Sequence, residues 1–541
     1  MDLSLHKKTL SILLKERASK YKNKTFIKYY GKDYSYSEIY ISSLKIASGL
    51  VHAGIKPKQN IAIMMDNSPE VLLIHFALGL IGAVAVPINT AARGDLLAYY
   101  INQSDSFSIF LDGVFATRLS EVIPKCGSLK TAVVIKNENS PELLDFDLQQ
   151  LLQNVESVSW ETIISSESDA IEFIPHYSDT LHILYSSGTT GAAKGSIVPN
   201  ATALITAEKH VEIFGYVESD ILFTCLPLFH GNALNCTVLP ALIAGATVAL
   251  SKRFSTSKFW NEINESQATH TSLLSAMINF LWLKEPSTEE KTHQLKTCIV
   301  VPTPEFSLDF EIRYNVKVTS LYGLGDFGFA TMLRHDDPRE KIRSAGRALP
   351  EVNVAILDED DIPVPTGEVG QICLRTVVPW FSRQGYYNLD ALWVKVIRNL
   401  WVHTGDRGWL DSDGYLFFAG RDKELIRRRG ENISSIQVEE ILRRHPAVAD
   451  AAIYAVKAEY LEDEVMASIV FKDGCSTDFA ALVTFCSLQL ADFMVPRFWE
   501  ILFEFPMTLT GKVEKYKLQE SAKKRLFDIW DREKSGIKLQ K

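Results

Sequence analysis

Residues 184–195, LYSSGTTGAAKG, gather side chains suited to an anion. Gly188, Gly191 and Gly195 permit tight turns that point backbone N–H groups inward, Ser186, Ser187, Thr189 and Thr190 add hydroxyl donors, and Lys194 adds a point charge. Polyphosphate is the ligand such a loop suits. It is not a Walker A loop, because GxxxxGK[ST] places glycine before the lysine and Ser or Thr after it, whereas Lys194 lies between Ala193 and Gly195. Further candidates follow in order: His230 after Pro227-Leu-Phe, Tyr322 and Asp326 in YGLGD, Asp406 in WVHTGD, Arg421 in GRDKE and Lys512 in TGK. GLGDFG (323–328) fits GxGxxG and contains DFG, yet no helix pattern, ribose-binding acid or HRDxxxxN loop accompanies it. Dinucleotide-binding and kinase readings are thereby excluded. Asp411-Ser-Asp-Gly414 reads as a turn, since it lacks the terminal Glu and flanking helices of a calcium loop.

These residues must be carried on a framework, and the chain supplies an α/β one. His182–Tyr185 reads as a short buried strand leading into the loop. Residues 60–65 (NIAIMM) and 132–135 (AVVI) are strand-like, with helical patterns between them, which predicts a mostly parallel sheet with helices on its faces. A helix starting at Ser37 follows the alternating KDYSYSEI. Residues 71–88 read as a helix and then a buried strand rather than a membrane span, because His75, Gly79, Gly82 and Pro87 interrupt the run. Residues 137–175 are acidic and poor in pattern, and read as a surface excursion. Strand-like 451–456 and 467–471 alternate with helices in a small α/β C-terminal portion.

The 541 residues suffice for three or four domain-sized units, and 46% hydrophobic with 23% charged residues is ordinary globular composition. A net charge of −9 argues against nucleic acid or an anionic membrane as main partner. The seven cysteines are scattered and form no CxxC pair, which suits reduced thiols in a cytoplasm rather than a zinc site. The N-terminus lacks the apolar core and small-residue cleavage site of a signal peptide.

In order, the motifs resemble those of the adenylate-forming superfamily: acyl-CoA synthetases, luciferases and peptide-synthetase adenylation domains. The loop resembles [ST]SGTTGxPKG, with Ala193 for proline; PLFH resembles P-x-[FY]-H; YGLGD resembles YGxTE; WVHTGD resembles W[FLV]xTGD. Residues 365–374 with GYYN (385–388) resemble GExGExxxxG…GYYN, 420–427 resembles GRxKExIK, 430–434 resembles the start of GxxIxPxEIE, and 506–515 resembles PxTxxGKxxK. The departures are Gly325 for threonine, Asp326 for glutamate, Ser435 and Gln437 for the proline and first glutamate, and a VVPTPEF segment (300–306) without the glycine-alanine turn.

The resemblance implies an N-terminal AMP-binding domain (1–422) of two mixed α/β subdomains with a distorted β-barrel, and a small mobile α/β lid (423–541). It implies ATP-dependent activation of a carboxylic acid as acyl-AMP with release of pyrophosphate, then transfer to CoA, with ATP, Mg²⁺ and CoA as cofactors. In that scheme Ser187, Gly188, Thr189, Thr190, Gly191 and Lys194 hold phosphates, Tyr322 stacks on adenine, and Asp406 and Arg421 contact ribose. Asp326 holds Mg²⁺, Lys512 is catalytic, and Lys423 is the hinge. Gly430, Glu431 and Asn432 line the CoA tunnel, while His230 gates the acyl pocket. Carnitine/crotonobetaine and fatty acyl-CoA ligases are the nearest branch by motif. Delivery to a carrier-protein phosphopantetheine, and a catalytically weakened paralogue that only binds nucleotide or acyl-AMP, are the alternatives. Asn232 and Asn235 either recognise a polar group or cap the helix that follows.

Overall fold

The computed structural model describes the chain except residues 1–4, 137–144, 168–172, 187–192, 305, 422–424, 429–430, 458–462, 507–512, 514, 538 and 540–541. At 145, 146, 186, 276, 420, 421, 425, 427, 432, 434, 436 and 516 it describes the backbone alone. The chain divides into two compact units, the first comprising Met1–Thr90, Ile101–Ser186 and Gly195–Gly420, the second built chiefly from Arg421–Lys541.

Two large sheets organise the first unit. One has seven strands in the spatial order Glu156–Ser159, Thr131–Ile135, Ser108–Asp112, Asn60–Met64, Val84–Pro87, Thr180–Ser186, Lys194–Pro199. NIAIM, VAVP, SIFLD and TAVVI are buried along their whole length and pair in parallel, the continuous apolar run expected of a sheet covered on both faces. The almost wholly buried helix Pro69–Ile81 precedes Val84–Pro87, so residues 71–88 form the expected helix and strand. No helix among the described residues is long and apolar enough to cross a membrane.

The second sheet has nine strands, with a parallel centre from Thr25–Tyr29 through Thr247–Leu250, Ile221–Thr224, His270–Leu274 and Thr297–Val301 to Lys317–Leu324. Gly328–Leu333 then turns back antiparallel. A third sheet has five strands, among them Gly370–Thr376, which pairs antiparallel with Val352–Leu357 and with Trp401–Leu410. In the second unit, the hairpin Leu425–Arg428 with Glu431–Ser434 accompanies a four-stranded sheet whose core includes Tyr454, Met466, Phe498 and Leu518.

Two sequence expectations change. The early helix runs Tyr36–His52, one residue ahead of Ser37, because Ser35 and Glu38 form a capping box: Ser35 Oγ accepts from the Glu38 N–H, and the Glu38 carboxylate accepts from the Ser35 N–H. The polar stretch 137–175 is not merely an excursion. It supplies the helix Asp145–Leu152 and the strand Glu156–Ser159, which pairs in parallel with Thr131–Ile135 at the sheet edge. An edge strand is half solvated, so its apolar signal is weak.

Asn67, only 4% exposed, ties the loop after Asn60–Met64 to the second sheet. Its Nδ2 donates to the Leu226 and Ser251 carbonyls at 2.8 and 3.0 Å, and its Oδ1 accepts from the Leu228 N–H at 2.8 Å. Asn67→Ala leaves these buried groups unpaired and is expected to cost roughly 3 kcal/mol, read as a lowered urea midpoint. Burial also depresses the imidazoles of His75 and His210 to about 4. Unfolded histidines take up protons these two refuse, so stability is whole above about pH 6.5 and is lost as pH falls toward 4, by about 1.4 kcal/mol per pH unit for each group. Urea midpoints between pH 7 and 4.5 should fall accordingly, and His210→Leu should flatten the slope.

Candidate active site

The approach strand Thr180–Ser186 and exit strand Lys194–Pro199 are neighbours at one edge of the first sheet, and Lys194 opens the exit strand. Gly195 fits closely: a Cβ there would meet Ile183 Cγ2 at 2.6 Å and the Tyr185 ring at 3.3 Å. Tyr185 donates to Gln103 Oε1 at 2.5 Å, and Gln103 Nε2 donates to the Tyr387 carbonyl at 2.6 Å. The backbone of residues 384–387 lies along the exit strand, with Gln384 N–H on Ile197 O, Ile197 N–H on Gly385 O, and Tyr387 N–H on Gly195 O at 2.8–3.1 Å. GYYN is therefore held to the loop's exit by a single antiparallel bridge, Ser196 to Tyr386, and the backbone bonds around it. Ser187, Gly188, Thr189, Thr190 and Gly191 lie outside the described residues.

GLGDFG forms a hairpin between Lys317–Leu324 and Gly328–Leu333, which removes the dinucleotide-loop reading by geometry. Tyr322 lies on the first of these strands, 7% exposed, and its hydroxyl donates to Asp406 Oδ2 at 2.8 Å. Asp406, 1% exposed, sits on Trp401–Leu410, where its N–H donates to Thr404 Oγ1 and the Thr404 hydroxyl donates to the Ile372 carbonyl. The predicted adenine and ribose residues thus meet on adjoining sheets.

Asp326 is at the hairpin tip. Its Oδ2 accepts from the Tyr386 hydroxyl at 2.7 Å, and its Oδ1 accepts from Ser196 Oγ at 3.5 Å. Burial, with the Asp326 charge added, pushes the Tyr386 phenol far above its usual range and keeps it a donor. Beside them Arg383 is 7% exposed; burial lowers its guanidinium to about 10, opposed by the charge of Asp326. His182 on the approach strand is held well below the usual imidazole range by burial, then by the charges of Arg383 and His75.

His230 follows a turn in which its N–H donates to the Pro227 carbonyl, and its ring lies 4.7 Å from that of Phe229. After it comes a π-helical segment, Ala233–Val238, a departure from α-helix frequently found at functional sites. Asn232 stands at its N-cap without a side-chain cap bond, so capping does not explain it. Oδ1 of Asn232, Oδ1 of Asn235 and Oγ of Ser272 are buried without hydrogen-bond partners among the described residues. Asn235 adjoins the approach strand, for a Cβ on Gly231 would lie 3.2 Å from both Asn235 Nδ2 and Leu184 Cδ1.

In the second unit, Glu431 and Asn432 pair with Arg428 and Arg427 across the hairpin. Lys423, Gly430 and Lys512 lie outside the described residues, and Arg421 is described by backbone alone. Lys515, at the start of the helix Lys515–Arg525, is engaged with Glu439 at 2.6 Å and Ser435 at 3.0 Å. The DSDG turn is confirmed: Asp411 accepts from the Asp413 and Tyr415 N–H groups, and Lys341 bridges Asp411 and Asp413 at 2.7 Å each. All seven cysteines are free thiols, and each except Cys475 is buried.

No group of three or more His, Cys, Asp or Glu able to hold a metal occurs among the described residues. Asp326, the residue that the resemblance assigns to a cation, accepts here from Tyr386 and Ser196. Sequence reasoning gave no role to Tyr386, Ser196, Arg383 or Asn67. The available signal was an arginine inside the largely apolar VVPWFSRQGYY (377–387).

The AMP-binding enzyme family matches residues 14–387, and the AMP-binding enzyme C-terminal domain matches residues 437–512. A crotonobetaine/carnitine–CoA ligase of Proteus mirabilis (strain HI4320) is 30% identical over 498 residues, 90% of this chain and 93% of that protein. Its counterpart in Salmonella typhimurium (strain LT2) is 27% identical over 497 residues, with the same coverage. Among solved structures, the amide bond synthetase McbA from Marinactinospora thermotolerans aligns with TM-score 0.82 at 23% identity, covering 94% of this chain and 99% of that one. A double mutant of the o-succinylbenzoate CoA synthetase of Bacillus subtilis gives 0.81 at 22% identity, covering 94% and 98%. With both family domains matched in order and the Tyr322–Asp406 pair formed between adjoining sheets, the chain belongs to the AMP-binding enzyme family.

Proposed function

We propose that the protein is an acid–CoA ligase, which activates a carboxylic acid with ATP as acyl-AMP, releases pyrophosphate and transfers the acyl group to CoA. The observation that carries the nucleotide part is the buried Tyr322–Asp406 hydrogen bond. It fixes the phenol ring and leaves an acceptor-only carboxylate to receive ribose hydroxyls. The CoA part is supported by the relatives named as CoA ligases.

A carboxylate is a poor electrophile, and its attack on the α-phosphorus makes an activated mixed anhydride. Ser187, Gly188, Thr189, Thr190, Gly191 and Lys194 hold the β- and γ-phosphates through backbone N–H groups, hydroxyls and one charge. Arg421 contacts the ribose, and His230 borders the acyl pocket. Lys512 bridges the substrate carboxylate and the α-phosphate, stabilising charge that develops in the transition state. Magnesium, when bound with ATP, offsets phosphate charge, and Asp326 is the residue that would hold it. Residues 423–541 act as a lid turning at Lys423, which withdraws Lys512 after the first step and brings Gly430, Glu431 and Asn432 toward CoA. The buried free thiols suit a reducing, cytoplasmic setting.

Carboxylate-dependent ATP–pyrophosphate exchange tests this reading. Lys512→Ala should lower exchange by roughly 10²-fold or more while sparing thioester formation from supplied acyl-AMP; equal loss of both steps would sink the lid mechanism. Asp406→Asn should raise KM for ATP about tenfold or more with the fold retained by circular dichroism. Free CoA consumed in step with AMP release identifies the acceptor, and turnover only with a phosphopantetheinylated carrier would replace it.

A further inference from the structure

Arg428 stands at the last paired position of the hairpin Leu425–Arg428 with Glu431–Ser434, opposite Glu431. At 1% exposure its guanidinium is taken out of water and keeps its charge, so it must be compensated where it lies. Nη1 donates to the Phe493 and Val495 carbonyls at 3.0 and 3.3 Å. Nε lies 2.6 Å from Glu464 Oε2 and Nη2 3.5 Å from Glu533 Oε1, ion pairs by charge and distance, neither being aligned as a hydrogen bond.

Glu533 comes from a stretch to which no motif gives a role. It follows the short strand Trp530–Asp531, beyond residue 512, where the C-terminal domain match ends. That strand is the edge of the four-stranded sheet and pairs antiparallel with Phe498–Ile501. Two residues of backbone pairing are a weak hold, and Arg497 reinforces it: Nε and Nη2 donate to the two oxygens of Asp531 at 3.1 and 3.0 Å, and the Arg532 N–H donates to the Arg497 carbonyl at 2.9 Å. Arg497 Nη1 also lies 3.4 Å from Glu533 and 3.8 Å from Glu464, and Arg532 Nη2 lies 3.3 Å from Glu533. Arg428, Arg497 and Arg532 thus share Glu464, Asp531 and Glu533 in one network of matched charge. Of its members, only Arg428 belongs to the hairpin, which is a separate sheet. Ile426 and Ile433, both fully buried, seat the middle of the hairpin by apolar contact, which is not directional. The ion pairs of Arg428 set the position of its other end.

We infer that residues 530–533 are a strap that fixes the Arg428–Glu431 end of this hairpin, and that Glu533 is thereby a positioning residue for the CoA step. This rests on the reading above that assigns Glu431 and Asn432 to CoA. A hairpin fixed beforehand needs no ordering when the ligand arrives, so loosening it weakens CoA binding and leaves ATP binding alone.

The full-length protein, Glu533→Gln and Glu533→Asp are compared, with Glu500→Gln as control. Glu500 is a buried acid of the same four-stranded sheet whose partners, Arg525, Tyr454 and Ser468, lie outside the network. CoA is titrated calorimetrically into protein saturated with AMP, and ATP into free protein. Glu533→Gln should raise Kd for CoA about tenfold with Kd for ATP unchanged, Glu533→Asp should recover part of the loss, and Glu500→Gln should leave both constants unmoved even where its Tm falls. Hydrogen exchange at the amides of 425–428 and 431–434 should quicken in Glu533→Gln, with 451–456 unchanged. Unaltered exchange at the hairpin overturns the strap. A loosened hairpin with Kd for CoA unchanged overturns the positioning role, as does an equal rise in Glu500→Gln, which would mark a general loss of stability. A wild type that binds ATP and not CoA sinks the CoA-ligase reading instead, and the strap is then decided by the hairpin's hydrogen exchange alone.

Discussion

The site depends on a short backbone pairing. Residues 384–387 hydrogen-bond along Lys194–Pro199, and through that pairing Tyr386 reaches Asp326 while the Tyr387 carbonyl receives Gln103. Backbone bonds suit this task because their geometry is set by the strand and not by rotamer choice. The Arg383 N–H donates to the Phe327 carbonyl, so the same segment also fixes the hairpin tip. One extended run of five residues therefore positions the loop exit, the acidic tip and the buried cation relative to one another.

Electrostatics then distinguishes polar groups that are paired within the fold from those that are not. Asp220 is 1% exposed, yet it is paired with Lys296 at 2.7 Å and accepts from the Val217 N–H, and its carboxyl is held far below the usual range despite the opposing effect of burial. Glu311 is likewise satisfied by Arg339 and the Val318 N–H. These are structural charges. Arg383 Nε and the amide oxygens of Asn232 and Asn235 have no hydrogen-bond partner among the described residues, and Asp326 acts on Arg383 by its charge. Uncompensated burial costs the free protein stability, a cost that ligand contacts can offset.

The framework was legible where burial was two-sided. NIAIM, VAVP and TAVVI announce parallel strands by composition alone, and the helix at 69–81 follows from its length and the glycine that ends it. The edge strand Glu156–Ser159 was not, because half of it faces solvent and its pattern is polar. Tyr322, Asp406 and Asp326 stood out as motif residues, but their partners did not. The Asp326–Tyr386 and Tyr322–Asp406 bonds join residues 60 and 84 positions apart, and nothing local in the sequence encodes such pairings. Arg383 was visible only as a charge in an apolar run, which has meaning once its burial is known.

The second unit separates a structural lysine from the proposed chemical one. Lys515 and Lys512 are three residues apart, the two lysines of the segment that resembles PxTxxGKxxK, in which Lys512 is the catalytic one by that resemblance. Lys515 is instead committed to the unit's own packing: it meets Glu439 and Ser435 of the helix Ser435–Arg443, while Glu439 Oε1 also accepts from the Ile453 N–H. That network fixes the start of Lys515–Arg525, a helix whose Leu518 and Ala522 enter the core. Lys515, so paired, is a structural lysine, and the chemical role in this motif falls to Lys512 in the proposed mechanism.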